Sequence, residues 1–133
     1  DCSVVGVQEV SPAEINKYVI AELIPGTERI KTIIEKPTPK QTQSNLAVFG
    51  RYLLTPDIFP ALEQTKVGKG GELWLTDALR LMLKQYPLAV KKVTDGQWLT
   101  TGDPLNYLKA ILAYAQDRPD LKQELLNTLR HYS

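Results

Sequence analysis

Turn-forming residues divide the first half of the chain into short apolar segments, and this spacing limits the folds that the chain can adopt. Residues 18–20 and 30–34 are strand-like runs on either side of Pro25-Gly26. Proline sets the first central angle of a type II turn and glycine accepts the positive φ at the second, so this dipeptide favours an antiparallel hairpin. Residues 3–7 and 46–54 are further apolar runs of strand length. The first half therefore predicts several short strands joined by tight turns.

Apolar residues recur at helical spacing in the second half. One stripe lies within residues 73–85, and two more follow Pro104 and Pro119, which stand where proline favours the start of a helix. A second hairpin over residues 88–99 is predicted at Asp95-Gly96, a dipeptide common in two-residue hairpin turns. We therefore expect a single α/β domain over residues 1–133, built as a mixed sheet with C-terminal helices.

The composition excludes several classes of protein. The chain has 133 residues, with 16 Lys and Arg against 15 Asp and Glu, and a formal net charge of +1. The two signs are interspersed and form no basic stripe, so we expect no nucleic-acid partner. The apolar runs are far shorter than the roughly 18 residues of a membrane span, so we expect no membrane partner and a cytoplasmic location. Cys2 and His131 lie at opposite ends of the sequence, which argues against a zinc site or a Cys-His nucleophile.

The tripeptide Glu35-Lys36-Pro37 is a candidate binding element at the end of a predicted strand. Proline is expected to hold Lys36 extended and so to direct the lysine stem away from the strand. The Glu35 carboxylate can accept hydrogen bonds from sugar hydroxyls, and Lys36 can supply a compact positive charge to a phosphate. On its own, however, the tripeptide is more typical of a solvated strand end.

Three further blocks follow this tripeptide in a fixed order. They are SNLAVFGRYLLTPDIF at residues 44–59, GGELWLTDA at residues 70–78 and GDPLNYLKA at residues 102–110. In order and spacing, the chain resembles bacterial UTP–glucose-1-phosphate uridylyltransferase from Ser3 to about Leu125. The resemblance implies a sugar-nucleotidyltransferase fold with a Rossmann-like mixed sheet. It also implies a reaction in which a sugar 1-phosphate oxygen attacks the α-phosphorus of UTP and pyrophosphate leaves.

The resemblance assigns four substrate-binding positions. Glu35 falls where the family binds glucose hydroxyls, and Lys36 falls where it binds the sugar phosphate. The main chain of Val48 falls on the lining of the glucosyl pocket. Val19 stands where the family usually has a glycine that contacts the sugar through its backbone, and the larger side chain narrows that approach.

The resemblance also implies Mg²⁺ as the cofactor of the full enzyme, but this chain departs from the family at a metal position. Thr100 stands where the family usually places its second metal-binding Asp, and a neutral hydroxyl does not replace a carboxylate's charge. We interpret Asp103 as a helix cap and Asp77 as a first-turn helix residue rather than as metal ligands. We therefore assign no metal ligand and no catalytic residue to this chain.

The family's nucleotide-binding Gly-rich loop and its first metal-binding Asp have no counterpart in the sequence. We therefore expect residues 1–133 to be the C-terminal portion of a nucleotidyltransferase, without its nucleotide-binding N-terminal portion and inactive alone. UTP, glucose 1-phosphate and UDP-glucose would be ligands of the full enzyme. Because a half-domain exposes sheet edge and apolar surface, we also expect a homo-oligomer. Two alternatives stay open: a non-catalytic regulatory or assembly domain on the same scaffold, and a nucleotidyltransferase of different base or sugar.

Overall fold

A computed structural model describes residues 2–132 of the chain. Within this range no helix has the length and apolar character needed to cross a bilayer. The chain falls into two compact units, one ending at Gly96 and the other starting at Gln97. A single domain over the whole chain stays a prediction.

The first unit is built on one mixed five-stranded sheet in the order β3-β2-β4-β1-β5. The strands are β1 (Ser3–Glu9), β2 (Val19–Leu23), β3 (Ile30–Glu35), β4 (Leu46–Leu53) and β5 (Leu88–Lys92). β4 pairs antiparallel with both β1 and β2, whereas β5 pairs parallel with β1. The strands predicted in the first half of the sequence are therefore present.

The two predicted hairpins have different outcomes. β2 and β3 form the antiparallel hairpin expected from Pro25-Gly26, and Gly26 has the positive φ, 74°, that the turn requires. The second hairpin is wrong, because the stretch after Asp95-Gly96 forms no strand within the described residues. One edge of β5 pairs with β1, and on the other side the backbone N–H of Val90 donates to Glu28 O at 2.8 Å. Both edges of β5 thus have partners other than the stretch after Asp95-Gly96.

One face of the sheet carries the core. Residues that alternate along the strands turn their side chains to this face because successive residues of a strand point to opposite sides. The fully or nearly buried strand residues there are Val5, Val7, Ala21, Ile33, Val48, Leu88 and Val90.

Two short helices of the first unit cover this core. α1 (Ile58–Glu63) contributes Ile58 and Ala61, and α2 (Leu75–Met82) contributes Ala78, Leu79 and Met82. The stripe predicted over residues 73–85 is therefore helical only in its central part. Trp74 is extended at φ −100° and ψ 128°, so α2 begins at the next residue.

The opposite face of β1 requires a glycine. A Cβ added to Gly6 would lie 3.0 Å from Cβ of Arg51 and 3.1 Å from Cζ of Phe49. Between Val5 and Val7 the register of β1 against β4 shifts, and the side chains of Phe49 and Arg51 on β4 crowd this position.

The second unit contains two helices, α3 (Pro104–Gln116) and α4 (Pro119–His131), each with proline in its first turn as predicted. The backbone N–H of Asn106 donates to Oδ1 of Asp103 at 3.0 Å. This bond satisfies one of the free N–H groups at the start of α3, so the interpretation of Asp103 as a helix cap is confirmed.

Candidate functional site

Three of the four predicted site residues lie side by side in one row across the sheet. Val19 on β2 pairs with Glu35 on β3 at one side and with Val48 on β4 at the other. Residues directly opposite each other on neighbouring strands project from the same face, with Cβ atoms about 4.5–5.5 Å apart. Lys36 follows β3 immediately. The fold thus brings together positions that are well separated in the sequence.

Glu35 is the last residue of β3, and its half-buried carboxylate is held from a helix. Oγ1 of Thr76 donates to Oε2 of Glu35 at 3.1 Å. Thr76 lies in the first turn of α2 and is only 8% exposed. Sequence reasoning did not find this contact, although Thr76 belongs to the block at residues 70–78. A hydrogen bond between residues 41 positions apart has no local signal.

Lys36 adopts a different backbone conformation from the predicted one. Its φ is 43°, so the expectation of an extended lysine is wrong. Its N–H donates to Tyr18 O at 3.0 Å, continuing the pairing of β3 beyond its last residue, while the next residue, Pro37, is fully buried. The chain must therefore turn at Lys36. Because proline disfavours the right-handed helical region for the residue before it, the turn uses a positive φ instead. The Lys36 side chain is exposed.

Val19 and Val48 are the two apolar residues of the row that begins at Glu35. Val48 is 7% exposed and Val19 is half-buried. Val19 sits between the other two residues, so its isopropyl group occupies space that a glycine at this position would leave open. The narrowing of the approach to the Val19 backbone stays a prediction.

Tyr52 is a further residue of this region that sequence reasoning missed. It lies on β4, pairs with Val5 and packs against the core. Burial, and in second place the negative charge of Glu35, raise the pKa of the Tyr52 phenol. Burial therefore disfavours loss of the phenol proton, and the negative charge of Glu35 adds to this effect.

The residues around Thr100 do not fit a magnesium ion. The Thr100 Oγ1 accepts from the backbone N–H of Gly102 at 3.5 Å, so the hydroxyl takes part in a local turn. Over residues 2–132, no group of three or more His, Cys, Asp and Glu side chains could hold a metal ion. Mg²⁺ prefers one or two carboxylates in octahedral geometry, and the Thr100 region supplies a neutral oxygen instead.

Asp77 also has a structural role. It lies in the first turn of α2, and its Oδ1 is 3.6 Å from Nη1 of Arg80. A carboxylate in a first helical turn is stabilised by the helix dipole, so the interpretation of Asp77 as a first-turn residue is confirmed.

Comparison with known proteins assigns a class to this fold. The nucleotidyl transferase family matches residues 2–117, and the chain belongs to that family. The α/β nucleotidyltransferase fold expected from the sequence is thereby confirmed.

Among individual proteins, the chain is similar to bacterial UTP–glucose-1-phosphate uridylyltransferases. It is 45% identical over 112 residues to the protein of Pseudomonas aeruginosa, covering 82% of this chain and 40% of that protein. It is 41% identical over 137 residues to the protein of Mycoplasma genitalium, covering 97% of this chain and 46% of that protein. The resemblance stated from the sequence blocks is confirmed. The chain spans less than half the length of these curated relatives.

Solved structures give the same similarity. A UDP-glucose pyrophosphorylase complexed with UDP-glucose matches with a TM-score of 0.77 at 40% identity, over 88% of this chain and 45% of that chain. A UTP-bound UGPase from Acinetobacter baumannii matches with a TM-score of 0.79 at 28% identity, over 99% of this chain and 46% of that chain.

Proposed function

We propose that this chain forms the glucose-phosphate side of a UTP–glucose-1-phosphate uridylyltransferase site. Glu35 accepts from the glucose hydroxyls, Lys36 contacts the phosphate, and the backbone at Val19 and Val48 lines the sugar pocket. The single observation that supports this most is the shared row of Glu35, Val19 and Val48, with Lys36 next along the chain. The positive φ of Lys36 adds to it, because strained non-glycine residues cluster at functional sites.

The chemistry needs no protein nucleophile. An oxygen of glucose 1-phosphate attacks the α-phosphorus of UTP, a new P–O bond forms, and the bond from that phosphorus to the bridging oxygen of pyrophosphate breaks. The electron pair of the broken bond leaves with pyrophosphate. Catalysis of this kind rests on alignment and on neutralisation of charge. Glu35 and Lys36 would supply alignment of the attacking sugar phosphate, and the Lys36 ammonium would neutralise part of its charge.

We further propose that residues 1–133 are the C-terminal portion of such an enzyme and that the preceding portion of the complete protein supplies the uridine side. The supporting fact is that the chain covers 40% of the Pseudomonas aeruginosa relative and 46% of the Mycoplasma genitalium relative described above. The 133-residue chain alone is then not expected to catalyse the reaction. Release of pyrophosphate from UTP and glucose 1-phosphate by the purified 133-residue chain, at rates typical of an enzyme, would contradict this.

Titration calorimetry with glucose 1-phosphate on the complete gene product tests the binding assignment. We expect Glu35→Gln and Lys36→Met each to weaken affinity by about tenfold or more, since each removes a charge-assisted contact. Lys31→Met is the matched control, because Lys31 is an exposed lysine on β3, the strand that ends immediately before Lys36. Equal affinity of Lys36→Met and the unmodified protein would refute the role of Lys36.

A non-catalytic sugar-nucleotide-binding domain is the second candidate, and the neutral hydroxyl of Thr100 is the observation that favours it. In that case the complete gene product binds UDP-glucose but releases no pyrophosphate. A panel of UTP and dTTP with several sugar 1-phosphates on the same protein tests the alternative of a different base or sugar.

A further inference from the structure

We propose that Thr76 is a positioning residue that orients the Glu35 carboxylate for the sugar; this inference rests on the function proposed above. The supporting contact is the hydrogen bond from Oγ1 of Thr76 to Oε2 of Glu35, at 3.1 Å. The two residues lie on different elements, Glu35 at the end of β3 and Thr76 in the first turn of α2.

The direction of this hydrogen bond is set by chemistry. An ionised carboxylate only accepts, so the threonine hydroxyl donates its single proton to Oε2. A glutamate side chain has three rotatable bonds, and this bond selects one of its arrangements. Because a carboxylate offers about four lone-pair sites, acceptor capacity remains for the hydroxyls of a bound sugar. Thr76 thus restrains Glu35 without using up its ability to bind.

The Thr76 hydroxyl is itself held in place by packing. Ala78, Leu79 and Met82 bury the inner side of α2 in the core, at 0%, 1% and 2% exposure. Thr76 is nearly buried on the same helix. A donor on a helix anchored in this way is placed more accurately than one on a loop, and a supporting residue of this kind keeps a binding side chain in its productive orientation. Loss of the hydroxyl should therefore free Glu35 without removing its charge.

The test is a double-mutant cycle on the complete gene product, read as affinity for glucose 1-phosphate by titration calorimetry. Thr76→Val keeps the shape and removes the donor, Thr76→Ser keeps the donor, and Glu35→Ala removes the carboxylate. We expect Thr76→Val to weaken affinity about tenfold, which corresponds to loss of one hydrogen bond to a charged group, and Thr76→Ser to stay within about twofold. In the Glu35→Ala background, Thr76→Val should change affinity by less than about twofold, because its effect passes through Glu35.

A purely structural role of Thr76 predicts a different result. Thr76→Val would then weaken the affinity for glucose 1-phosphate by the same factor with and without the Glu35 carboxylate, and that outcome overturns the proposal. Leu88→Ala serves as the control for destabilisation, because Leu88 is fully buried on β5, a strand that carries no residue of the proposed site; it should lower the melting temperature and leave affinity unchanged. Normal binding by Thr76→Val beside weakened binding by Glu35→Ala refutes this inference alone. Normal binding by Glu35→Ala refutes the proposed function and this inference with it.

Discussion

Replacing Lys36 by glycine should make the protein more stable and a weaker binder. Lys36 has a φ of 43°, in a region that costs a residue with a Cβ about 1–2 kcal/mol. Glycine adopts this conformation without that cost, but it adds freedom to the unfolded chain worth roughly 0.5–1 kcal/mol. Subtracting the second range from the first predicts a net gain of up to about 1.5 kcal/mol in the free energy of unfolding. The same change removes the ammonium group proposed to contact the sugar phosphate.

Urea denaturation at constant m-value measures the first effect, and calorimetric titration with glucose 1-phosphate measures the second. Lys36→Ala separates the two causes, because it loses the ammonium but keeps the Cβ and hence the strain. Both variants should bind about tenfold or more weakly, and only Lys36→Gly should be stabilised. Lys31→Gly, at an ordinary position of β3, should be destabilised by about 0.5–1 kcal/mol. The argument is refuted if Lys36→Gly is less stable than Lys36→Ala.

Three other predictions concern the fold and its titration. Gly6→Ala should lower stability by about 1–3 kcal/mol, because the added Cβ meets β4, and an unchanged urea midpoint would show that β4 moves aside. Asp103→Ala should lower the free energy of unfolding by about 1 kcal/mol in urea denaturation, because it removes the cap of α3. Asp103→Ser should keep most of that stability, because serine is also a good cap. Burial and the charge of Glu35 raise the pKa of Tyr52 in the folded protein, so its stabilising effect is complete below the unfolded value of about 10 and is lost as the pH rises through the folded pKa. Tyr52→Phe should therefore flatten the loss of stability at high pH in urea denaturation, and an equally steep loss in this variant would contradict the assignment.

Local signals predicted the parts of the fold that local forces determine. Pro25-Gly26 lies between β2 and β3 and needs only its own backbone angles to form the turn, so this hairpin was predictable. Asp95-Gly96 gave a comparable signal for a second hairpin, and that prediction was wrong. The two edges of β5 pair instead with β1 and with the backbone of Glu28, which are both distant in the sequence. No short sequence segment around Asp95-Gly96 includes these competing partners, so the local signal alone could not predict the outcome.

The candidate site shows the same division between local and distant information. Glu35 and Lys36 stand in a recognisable block, so the sequence pointed to them directly. The hydroxyl of Thr76 and the phenol of Tyr52 reach this region only through the packing of α2 and the pairing of β4. Neither has a sequence spacing that links it to Glu35. Predicting them needs the register of three strands and the placement of one helix.

The register of β3 is therefore the feature on which the site depends most. A slip of one residue along β3 would turn Glu35 to the opposite face of the sheet, away from Thr76, because side chains alternate with a period of two. The same slip would also move Ile33 off the face that it shares with Glu35, where it is fully buried. Burial of an isoleucine side chain contributes roughly 1.5–3 kcal/mol, so the register that keeps Ile33 in its place in the core is favoured. Because Ile33 and Glu35 lie on the same face of β3, substitutions at Ile33 should alter sugar binding as well as stability.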